Sequence, residues 1–139
     1  MGLAFIYVKA YMLPMRELVL FHAALADETR LRLLHLMKAG EICVCHLQGV
    51  LQTNQPKISR HLAYLRKAGL VEARRDGKWT HYRLKKSGSY RQKILAETFT
   101  RLAGESLIRK DVQRLARITC CPARYGLSLP APPASGNCS

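Results

Sequence analysis

Acidic residues are scarce in this chain: 9 Asp and Glu stand against 23 Lys and Arg in 139 residues. The resulting formal charge of +14 points to a polyanionic partner, with nucleic acid ahead of a membrane surface. Long apolar runs are also missing. The one candidate, "MGLAFIYVKAYML", is interrupted by Lys9 and has neither a basic leading region nor a small-residue cleavage site. Neither an export signal nor a membrane span is therefore expected, and the expected location is cytoplasmic, with no membrane partner. Ile6 stands where an N-myristoylation pattern needs Ser or Thr. Cysteine is absent ahead of Cys43, and the total of five is odd. Without an export signal, such cysteines suit metal or redox chemistry better than a disulfide framework. Cys43-x-Cys45 and the adjacent Cys120-Cys121 do not make the paired Cys-x-x-Cys knuckles of a structural zinc module. No Gly-rich cofactor loop and no His/Asp partner at a recognisable spacing accompanies the thiols, so an enzyme is not expected and a small thiol enzyme is only a remote alternative.

What is present is organised. Residues 1–40 carry a net +2, residues 41–87 a net +7 and residues 88–139 a net +5, so phosphate contacts are expected in the middle third. Apolar residues make up 48% of the chain, enough for the core of one small domain. Leu18, Phe21 and Leu25 recur at helical spacing over about residues 14–24. Asp27 suits the N-cap of a second helix with Leu31, Leu34 and Met37 inward, and Gly40 suits its stop. A short third helix is expected from Cys43 to Leu51, with Val44, Leu47 and Leu51 inward.

In "QTNQPKISRHLAYLRKAGL", Thr53 or Asn54 can cap a helix whose first turn tolerates Pro56. Ile58, Leu62 and Leu65 share one face; Lys57, Ser59, Arg60, Ala63, Tyr64 and Lys67 share the other. Small residues flanked by cations and hydrogen-bonding groups form the thin, polar edge that a major groove admits. "LVEARRDGKWTHYRL" then reads as two strands joined at Asp76-Gly77, with Arg74, Arg75 and Lys78 at a tip suited to phosphates. A helix over about residues 88–103 follows, and "ESLIRKDVQRLARI" (105–118) adds a possible extra one over 106–118. From Thr119 onward, Pro, Ser, Ala and Gly suggest a flexible tail, and no internal repeat is visible. The expected fold is mainly α with a small β-hairpin wing, a winged helix-turn-helix. The divisions are an N-terminal extension (1–11), the main domain (12–105), the extra helix and the tail (119–139).

The pair in "GEICVCHLQGVL" poses a geometric problem. On a helix, positions i and i+2 point about 200° apart, so two thiols there cannot face one ion unless the helix deforms. The plain alternative is two small buried side chains. Against it, Val44 is the better core residue by periodicity, and a helix start lowers thiol pKa toward the thiolate needed for binding.

At "DETRLRLLHLM", "EICVCHL" and "QPKISRHLAYLRKAGLVEARRDGKWTHYRL" the chain resembles the arsenical-resistance repressors of the ArsR/SmtB family, over about residues 12–105. The resemblance implies a homodimeric repressor that binds double-stranded operator DNA and releases it when trivalent arsenic or antimony binds. It implies dimerisation through about residues 14–24 and 88–103, and no permanent cofactor. It makes the helix from Gln55 to Ala68 the reading head, with Gln55, Lys57, Ser59, Arg60 and His61 as base or phosphate contacts; His61 lies nearer the apolar side and packing is its alternative role. Cys43 and Cys45 match the family's C-V-C, but His46 replaces its Asp and Gln48 its third cysteine. Cys120 and Cys121 either complete the first site, form a second, or are incidental. His46, three positions from Cys43, is a conceivable nitrogen ligand but reads better as a surface or capping residue. Bridging both thiols would unwind the start of the third helix. Soft thiolates also admit cadmium, lead or oxidation, so a divalent-metal or thiol-redox repressor of the same fold is the alternative. The post-wing helix has no His for a zinc-type site.

Overall fold

A computed structural model describes residues 14–120, the side chains of Thr119 and Cys120 excepted. The expected N-terminal extension, Cys121 and Cys138 lie outside the described residues.

Helix α1 (Met15–Leu25) buries Phe21 and Ala24. Asp27 caps α2 (Glu28–Leu36), its side chain accepting a hydrogen bond from the Arg30 amide at 2.9 Å, and so satisfies one of the otherwise unpaired amides of the first turn. A single 3-10 turn, Met37–Ala39, ends at Gly40, whose φ of 139° is open to glycine and strained for other residues.

The chain then departs from expectation. Ile42 and Cys43 form a two-residue strand, β1, and the third helix, α3, starts only at Val44 and runs to Leu51. Gln52 takes a left-handed conformation (φ 52°, ψ 44°), and Asn54 caps α4 (Gln55–Lys67) by accepting from the Lys57 amide at 3.0 Å. Ile58, Leu62 and Leu65 of α4 are fully buried. Each such side chain contributes roughly 1.5–3 kcal/mol by leaving water, which holds this helix's apolar stripe down and its polar face out.

Strands β2 (Val71–Asp76) and β3 (Trp79–Leu84) form the wing, and the antiparallel sheet has the order β1-β3-β2. The hairpin loop is Gly77-Lys78 rather than Asp76-Gly77, because Asp76 pairs with Trp79. Gly77 at φ 60° is the first central residue, the Gly-first pattern of a II′ turn. Helix α5 (Ser89–Leu102) packs Leu95 and Phe99 into the core.

The extra helix, α6 (Ser106–Cys120), packs on α3 and α2. Asp111, 1% exposed, accepts from Arg32 Nε at 2.7 Å and Nη2 at 2.8 Å, and Arg114 Nη1 donates to the Val50 carbonyl at 2.8 Å. The arginine fork supplies the partner without which a buried carboxylate is costly. No helix among the described residues is long and apolar enough to cross a membrane.

Candidate functional site

The thiol pair sits where β1 becomes α3. Cys43 is extended (φ −66°, ψ 140°) at the N-cap position, and Cys45 is the second residue of the helix. Their sulfurs lie 2.8 Å apart. The expected opposition of the two thiols is therefore overturned: it requires both residues to be helical, and Cys43 is not. The core assignment is also corrected, since Cys43 is 2% exposed whereas Val44 and Cys45 are half-buried.

The two thiols differ chemically. Cys43 is lowered from an ordinary 9.0 to about 6, chiefly because it accepts a hydrogen bond from the Cys45 thiol. Burial opposes this, while the first backbone amides of α3 and nearby His81 assist. Cys45 is pushed upward because it donates to Cys43, is half-buried and sits beside a thiolate. The pair is best described as an S–H···S⁻ unit with Cys43 carrying the charge.

His46 is buried, not on the surface, and burial with His81 nearby lowers its pKa. Gln48 is half-buried. Among the described residues, no three His, Cys, Asp or Glu side chains are placed to hold a metal ion. Cys120 ends α6, but its side chain, like Cys121, falls outside the description.

Beyond the Gln52 turn, Gln55, Lys57, Ser59 and Arg60 are all exposed on α4, as are Ala63 and Tyr64. The Arg30 guanidinium covers the Tyr64 ring at 4.2 Å. His61 is half-buried, with Nδ1 3.6 Å from Asp27 Oδ1, so it leans toward the α2 cap. On the wing, Arg75 and Lys78 are exposed. Arg74 is exposed as well but is gripped by Glu41, with Nη2 to Oε1 at 2.6 Å and Nε to both oxygens at 3.1 and 3.2 Å. This pair and the placement of His81 opposite Cys43 were missed in sequence. The Glu-Ile-Cys alternation after Gly40 was the available signal for a strand, but two residues carry no period.

Residues 27–73 match the family described as bacterial regulatory proteins, arsR family. The chain is 45% identical over 98 residues to the arsenical resistance operon repressor of Escherichia coli, covering 69% of this chain and 82% of that protein. It is 50% identical over 74 residues to the arsenic resistance transcriptional regulator ArsR1 of Pseudomonas putida, covering 50% of this chain and 58% of that one. Among solved structures, reduced HlyU from Vibrio cholerae superposes with a TM-score of 0.55 at 31% identity, covering 66% of this chain and 93% of that one.

Proposed function

The chain belongs to the arsR family of bacterial regulatory proteins, and from that premise we propose that it is a metalloid-responsive transcriptional repressor whose sensing groups are Cys43 and Cys45. The family and its structural neighbours are transcription regulators rather than enzymes. The observation that carries the reading is the 2.8 Å sulfur contact at the junction that leads, through one short helix, into the exposed face of α4.

In this reading a homodimer in the cytoplasm occupies its operator when unliganded. Gln55, Lys57, Ser59 and Arg60 enter the major groove, and Arg75 and Lys78 lie on phosphates. Exposed Met15 (80%) and Val19 (60%) on α1, with Tyr90 on α5, support a dimer face on those helices. Trivalent arsenic, as its hydroxide, exchanges two hydroxides for the two sulfurs; the Cys45 proton and one proton from solvent leave with them as two waters. Antimony reacts alike. A hydroxide, or a further protein group, holds the third position, and the thiols Cys120 and Cys121 are candidates for it.

No unwinding is needed to bring the sulfurs together. Ion entry instead fixes their spacing and the angle between them. With bonds of about 2.3 Å, as for zinc–thiolate, a right-angled pair needs its sulfurs about 3.3 Å apart. Sub-ångström resetting of such a spacing is amplified where packed elements have two arrangements. Release requires the ligand to prefer the DNA-incompetent arrangement, typically by ~1–3 kcal/mol.

The same sulfur contact favours one second reading, oxidation to a Cys43–Cys45 disulfide by hydrogen peroxide, which takes two electrons from the pair and leaves as two waters with the Cys45 proton and one proton from solvent. The test is operator binding by Cys43→Ser and Cys45→Ser with arsenite, cadmium or peroxide added separately. Both variants are expected to hold DNA in the presence of arsenite. Release of DNA by arsenite from both variants would remove the proposed site, and wild-type release by peroxide alone would favour the second reading.

A further inference from the structure

Arg74 belongs in sequence with the basic residues of the wing, yet its guanidinium is committed to Glu41 and also lies 3.8 Å from Asp76. Glu41 stands two residues ahead of Cys43. Between them and Arg74 runs β3, with Cys43 opposite His81 and His81 opposite Arg74. Directly opposed residues of antiparallel strands share a face, with Cβ atoms about 4.5–5.5 Å apart, so Cys43, His81 and Arg74 form one row across the sheet. Strand β1 is held to β3 by two registered pairs only, Ile42 with Tyr82 and Cys43 with His81. The Glu41–Arg74 pair spans the whole sheet and ties the start of that short strand to the far strand, β2.

We infer that Glu41 and Arg74 are positioning residues that link the thiol site to the wing, and that Arg74 serves this link rather than a DNA phosphate. The inference rests on the reading of Cys43 and Cys45 as the inducer site. When an ion bridges the sulfurs, the end of β1 moves and carries Glu41 with it. Arg74 follows its carboxylate, and β2 shifts together with Arg75 and the Gly77-Lys78 tip. An exposed ion pair contributes little to stability by itself, so its significance here is geometric. The thiol site thus has two routes to DNA: through α3 and the Gln52 turn to the reading helix, and through the sheet to the wing.

The test is the ratio of operator affinities without and with saturating arsenite, at fixed salt, for the full chain. This ratio cancels any effect of charge common to both states. Glu41→Gln removes a negative charge near DNA; acting through charge alone, it tightens both states equally and leaves the ratio unchanged. The link predicts that Glu41→Gln compresses the ratio by roughly 2- to 30-fold, the range over which residues between coupled sites act. The charge swap, Glu41→Arg with Arg74→Glu, is expected to restore most of it, with arsenic-to-protein stoichiometry unchanged in each variant. A wild-type ratio of one overturns the functional reading, and the link with it. A wild-type ratio well above one that Glu41→Gln leaves unaltered overturns the link alone, as does loss of arsenite binding in the variants.

Discussion

Cys43 and Cys45 are the same residue type two positions apart, and the fold makes them chemically unlike. Cys43 ionises at about 6 against an ordinary 9.0, while Cys45 is pushed upward. Between those pH values the native chain holds fewer protons than the unfolded chain, so stability rises with pH from about 6 to about 9 and is lost as pH falls through about 6. Above about 9 the sign reverses, because unfolded Cys45 releases a proton that the native state keeps. Urea midpoints of wild type and Cys43→Ser across this range are expected to diverge by on the order of 1–2 kcal/mol. That is well under the full equivalent of the shift, because solvent screens the half-buried partner. A difference that stays flat from about pH 5 to about pH 9 would remove the S–H···S⁻ assignment. The identity of the pair was legible from residue type and spacing. Its geometry was not, because periodicity placed Cys43 on the helix, whereas pairing with a strand nearly forty residues later makes it extended. A long-range pairing of this kind leaves no local mark.

Helices α3 and α4 meet at Gln52, the one non-glycine residue with positive φ among those described. A left-handed conformation costs an L-residue about 1–2 kcal/mol, and glycine escapes this at the cost of greater freedom when unfolded. Gln52→Gly is accordingly expected to raise stability by about 0.5–1 kcal/mol, read from the urea midpoint at constant slope, whereas the β-branched Gln52→Val lowers it. If Gln52→Gly lowers stability instead, the side chain makes a contact worth more than the strain. The rest of the element plan was legible through the same kind of local chemistry. Asp27 and Asn54 cap where their short oxygen-bearing side chains permit, Gly40 stops where only glycine is at ease, and the apolar stripe of α4 is fully buried. The hairpin fell one residue away from Asp76-Gly77 because turn register is decided by cross-strand pairing, and both glycine-containing turns fit the local sequence. Helix α6 was visible as a helix, but its seat on α3 through Arg114 and on α2 through Asp111 was not, since nothing local specifies a partner so far back in the chain.

Over the whole molecule, the +14 charge is arranged so that the solvent-facing edge of α4 and the wing tip carry cations with few acids among them. This asymmetry was legible, because charge needs no folding to be counted; which arginines are already committed was not. Arg74 and Arg83 are exposed but held by Glu41 and Glu72, whereas exposed Lys57, Arg60, Arg75 and Lys78 have no carboxylate partner among the described residues. If those four exposed cations of each of two copies neutralise phosphates, about eight counterions are displaced, and log K falls against log salt with a slope of about −7. Lys78→Gln removes one contact per copy and is expected to make the slope shallower by about 1.8 without altering operator preference, since a wing-tip lysine reads phosphate and not base. A slope of about −3.6 in the wild type would mean that one copy engages the duplex at a time, which contradicts the proposed dimer. A slope unchanged by Lys78→Gln would lift the wing from the DNA and leave α4 alone to carry the operator.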